Sequence, residues 1–78
     1  MGERIPAFSS RDLIRAIKRL GFQEIPGAKG SHTKLIHPSY LGAITVPKNA
    51  DFGKGLRVAL IKELVAMGVD RDQLLELL

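Results

Sequence analysis

Cysteine is absent from the 78 residues, so neither a disulfide framework nor a thiolate metal site can hold the chain together or do its chemistry. A reducing cytoplasm is the expected setting. Histidine occurs only twice, which disfavours a zinc site, and no metal or cofactor is expected. Long apolar runs are also missing: nothing approaches the roughly 20 residues that a membrane span requires, so the expectation is a soluble, non-exported protein. A chain this short buries only about 60% of its unfolded surface, which leaves room for one thin core and excludes a large enclosed active site.

Acidic residues are scarce over most of the length. From Arg11 to Lys62 there are 10 basic and 3 acidic residues, whereas from Glu63 to the end one arginine faces four acids. The body thus carries a net +7 and the tail −3. A basic body suits a polyanionic ligand, and the acidic tail implies a different duty.

Residues 1–8 show no hydrophobic period and read as a flexible lead-in, with one domain over 9–78. Ser9 has Asp12 three residues on, a short-carboxylate form of the capping box, so a helix should follow. Leu13, Ile14, Ile17 and Leu20 form its apolar face; Arg11, Arg15, Lys18 and Arg19 fall largely off it and suggest no more than a general attraction for anions. Gly21 is the expected stop, with Phe22 packing back on the helix.

Phe22 to Ile25 reads as an edge strand leading into the Pro26-Gly27 turn, and Ser31 to His37 as the main strand. His32, Lys34 and Ile36 share one face of that strand; Ser31, Thr33, Leu35 and His37 share the other. Both faces mix apolar and polar residues, so the pattern does not say which one packs on the helices. Ala43 to Val46 returns as an antiparallel partner after a turn over residues 38–42, and Pro47 stops it.

Gly53-Lys54-Gly55 opens a second helix running to about Met67. Its apolar stripe of Leu56, Ala59, Leu60 and Leu64, widened by Val58, Ile61 and Val65, predicts burial on two sides. One side should meet the sheet, the other the C-terminal segment or a partner chain. Asp70 with Gln73 then restarts a short leucine-rich helix. The architecture is α+β: helix, three antiparallel strands, helix and a short extra C-terminal helix.

The order of these elements, together with particular residues, resembles the HicA (YcfA-like) family of messenger-RNA interferase toxins. The matching stretches are Asp12-Leu13-Ile14-Arg15, Leu20-Gly21-Phe22, Lys29-Gly30-Ser31-His32, His37-Pro38 and Thr45-Val46-Pro47, followed by Gly55-Leu56-Arg57, Ile61-Lys62 and Met67-Gly68. The resemblance implies a double-stranded-RNA-binding-domain-like fold, ribonuclease activity without a metal, His32 as the catalytic histidine, and inhibition by a HicB-type antitoxin that can also set the oligomeric state. Two features depart from the family pattern: Pro26-Gly27 stands where a basic residue is frequent, in a slightly longer stretch, and Thr33 where a second histidine is common.

The chemistry agrees with the resemblance. Metal-free RNA cleavage needs a base for the ribose 2′-hydroxyl and positive groups for the phosphate as charge builds on it. An imidazole with an ordinary pKa of about 6.5 suits the first role. Lys34, on the histidine's own face, and Lys29, with Gly30 and Ser31 in the approach to the strand, suit the second. His37 lies at an odd offset and about 16 Å along the strand, which makes it structural or an outlying RNA contact. Lys54 at a helix start, with Arg57 one turn on, is either a phosphate cradle or a tight turn bearing solvated cations. Besides an RNA-cleaving toxin acting on mRNA, two readings stay open: an inert RNA-binding module of the same fold, and a small protein-interaction domain.

Overall fold

The computed structural model of the chain describes residues 5–26, 32–48 and 52–78. The elements are α1 (Ser10–Arg19), β1 (Gln23–Glu24), β2 (His32–Ile36), β3 (Ala43–Pro47), α2 (Lys54–Met67) and α3 (Arg71–Leu77).

Both ends of α1 are closed as the sequence predicts. Ser9 and Asp12 exchange hydrogen bonds of 3.1 Å, each backbone N–H donating to the other's side-chain oxygen. The bond from the Ser9 backbone, followed by that from its side chain and the charges of Arg15 and Arg11, holds the Asp12 carboxyl below its ordinary pKa. At the other end Gly21 takes φ +105, and the N–H groups of Gly21 and Phe22 donate to the carbonyls of Lys18 and Ile17 at 3.0 Å. This double bond pattern needs a residue that tolerates positive φ, and it turns Phe22 into the core.

The three strands pair antiparallel in the order β1-β2-β3, with β2 central. β3 includes Pro47, which sits opposite His32 as the last pair of the ladder; proline is tolerated there because β3 is an edge. All described helices contribute to one core, in which Leu13, Ala16 and Ile17 of α1 meet Leu35, Ile44 and Val46 of the sheet, Leu60, Ile61 and Leu64 of α2, and Leu74 of α3. Burial therefore settles the parity of β2: Thr33 and Leu35 face the helices, while His32, Lys34 and Ile36 point away into solvent. Ahead of α1, Phe8 is also buried, edge-on to Phe52 at 5.9 Å between ring centres.

The expected two-sided burial of α2 is not what this chain forms by itself. Only Leu60, Ile61 and Leu64 are buried, and Leu56 and Val65 remain 36% and 39% exposed. α3, capped by Asp70 through the Gln73 N–H at 2.9 Å, packs against α1 and leaves Leu56 and Val65 partly exposed. Among the described residues no helix is long and apolar enough to cross a membrane.

Candidate active site on the open sheet face

The pleat of β2 puts His32 and Lys34 on the same open face, two residues or about 7 Å apart. Both are exposed, and among the described residues no group hydrogen-bonds the His32 ring. Opposite them on β3 are Pro47 and Thr45, so the neighbouring strand adds no charge to the site at those two positions. Lys29, Gly30 and Ser31, the remaining members of the basic run, lie outside the described residues.

His37 has a different environment. Its Nδ1 accepts the Ser39 N–H at 3.0 Å, which leaves the proton on Nε2, and Nε2 donates to the Leu20 carbonyl at 2.9 Å. The ring stacks on Tyr40, with centres 4.2 Å apart and planes at 23°, and meets Phe22 edge-on at 5.0 Å. Tyr40 also approaches Gly68, where an added Cβ would come within 2.9 Å of its ring. These contacts tie the exit of α1, the β2–β3 turn and the end of α2 together. His37 is the structural histidine of the pair, and neither it nor Tyr40 shares the open face with His32.

Lys54 and Arg57 do not form an equivalent pair of free cations. Lys54 is exposed in the first turn of α2, whose N-cap, Gly53, offers no side-chain cap. Arg57 is half-buried and donates from Nη1 to the Phe52 carbonyl at 2.7 Å, so its guanidinium already secures the loop entering the helix. From the sequence the cations of α1 carry no more than a general attraction for anions. Arg11, Arg15 and Lys18 in fact line a cleft with Lys48 on the helix side of the sheet. Their spacing of four and three residues was a visible signal, but the approach of Lys48 was not. Among the described residues, no three His, Asp or Glu side chains gather in a way that would hold a metal ion.

With every described helix behind a three-stranded sheet and an exposed histidine beside a lysine on its uncovered face, the chain is a small α+β domain. Residues 10–66, well over half the chain, match the family described as HicA toxin of bacterial toxin-antitoxin, and the chain belongs to that family. Its class of function is that of the toxin in a toxin–antitoxin pair. Neither a curated protein nor a solved structure matches it.

Proposed function

We propose that the chain is a metal-independent endoribonuclease that cleaves messenger RNA in the cytoplasm with His32 as its base, and that a HicB-type antitoxin restrains it by covering the same face. The observation that carries this reading is the exposure of the His32 ring beside Lys34 on the open sheet face. His32 takes the proton of a ribose 2′-hydroxyl, the 2′-oxygen attacks the adjacent phosphorus, and the bond to the 5′-oxygen breaks. Lys34 stabilises the extra charge on the phosphate oxygens. The leaving 5′-oxygen takes its proton from water or from the His32 imidazolium, since His37 and Tyr40 are committed to each other on the far side. If no separate general acid joins His32, the enzyme forgoes a contribution of about 10²–10⁴-fold and turnover is slow.

The test is an end-group assay on labelled single-stranded RNA in excess chelator, with His32→Ala beside the wild type. Products ending in 2′,3′-cyclic phosphate and 5′-hydroxyl, lost in the variant while RNA affinity is kept, are expected. Equal binding with no cleavage by either protein would instead make the chain an RNA-binding module.

A further inference from the structure

Behind the sheet, on the side away from His32, α1 and the strands enclose an open cleft of about 470 Å³. Arg11, Arg15 and Lys18 line one wall, and Glu24, Thr33 and Lys48 contribute from the sheet side. The spacing of the three α1 cations keeps them on one side of the helix along about 10 Å of its axis. One carboxylate answers four cations: Glu24 forms an ion pair with Lys18 and is held below its ordinary pKa by that bond and charge, with a smaller contribution from Lys48. Among the described residues Arg11, Arg15 and Lys48 form no ion pair with a carboxylate, although the Asp12 carboxylate lies near enough to both arginines to feel their charge.

We infer that this cleft is a phosphodiester-binding groove that holds the RNA chain flanking the cleaved phosphate, an assignment that rests on the ribonuclease reading above. Two guanidiniums present planar forks matched to phosphate oxygens, and they sit in a row as successive phosphates require. Thr33, in the floor of the cleft, is the strand neighbour of His32, so the groove and the catalytic face meet at the same end of β2. A strand bent over that end places one phosphate at His32 and its neighbours against α1. Glu24 tempers the groove by occupying Lys18.

The experiment measures binding of a labelled single-stranded RNA by salt titration, with every variant built on His32→Ala so that cleavage does not intervene. Arg11→Gln/Arg15→Gln should weaken binding at least tenfold and reduce the slope of log K against log salt by about 1.4, the loss of two phosphate contacts to a single strand. Glu24→Gln, which releases Lys18, should tighten binding. The control Arg19→Gln/Lys62→Gln removes the same charge outside the cleft and should cost much less. Equal losses in the two double variants would overturn the groove and leave only diffuse attraction. Unchanged RNA binding in Arg11→Gln/Arg15→Gln, with loss of antitoxin binding, would make it a protein-docking surface. If the Arg variants in the active background still cleave at the wild-type rate, the groove fails while the ribonuclease reading stands. If the parent protein neither binds nor cleaves RNA, both fail.

Discussion

The two histidines stand five residues apart on one stretch of chain and have opposite surroundings. His37 uses both ring nitrogens on backbone groups and lies in an aromatic stack, so its ring is confined to one orientation and one tautomer. His32 is exposed on the open face, without a hydrogen-bond partner among the described residues and with a lysine beside it. An odd separation on a strand sends two side chains to opposite faces, and here one face is core and the other solvent. The residue type therefore says little about role. What distinguishes them is which face of the sheet the helices cover, because a ring with both nitrogens engaged cannot exchange protons with a substrate without breaking the structure.

The sharpest way to break that contrast is to remove each ring in turn. His32→Ala should lower RNA cleavage by about 100-fold or more, the usual worth of a general base, with no change in melting temperature. Gly21→Ala attacks the other histidine from behind: φ +105 strains any side chain, and the new Cβ would stand 2.8 Å from His37 Nε2. A loss of about 3 kcal/mol in denaturant unfolding is expected. In a His37→Ala background the same substitution should cost less, since only the backbone strain remains. His37→Ala alone gives up two hydrogen bonds and a ring stack, about 2–3 kcal/mol, read as a lowered melting temperature.

Smaller effects come from the frame that positions the faces. Ser9→Ala opens the capping box of α1 and should cost about 1 kcal/mol. Acid should act at the same place. Asp12 has a lowered pKa in the folded chain, so its contribution is complete above the ordinary carboxylate value and is lost as pH falls through the lower folded one. Stability should thus decline below about pH 4, and less steeply in Ser9→Ala, as followed by circular dichroism across an acid titration.

Much of the frame is legible in the residues themselves because its signals are local. Ser9 with Asp12, Gly21 with Phe22, and Asp70 before Gln73 each mark a helix end through bonds spanning a few positions, and all three form. The pleat likewise put His32 and Lys34 on one face and His37 on the other. Which face is covered was not readable, since Leu35 on one side and Ile36 on the other give β2 one aliphatic residue each. Packing of α1 and α2 decides it, and that is a tertiary event. The same limit explains α2, whose broad stripe promised burial that Leu56 and Val65 do not find in the described chain. The hydrogen bond from the Arg57 guanidinium to the Phe52 carbonyl was likewise not readable from its helical position. The cleft beside α1 needed Lys48 and Glu24 brought in from distant positions.

On the proposed reading, chemistry belongs to His32 and architecture to His37. Its most direct test is RNA cleavage by wild type, His32→Ala and His37→Ala, side by side at a low temperature where circular dichroism shows all three folded. A folded and inactive His32→Ala and a less stable but active His37→Ala are expected. Cleavage retained by His32→Ala, or abolished in a folded His37→Ala, would contradict it.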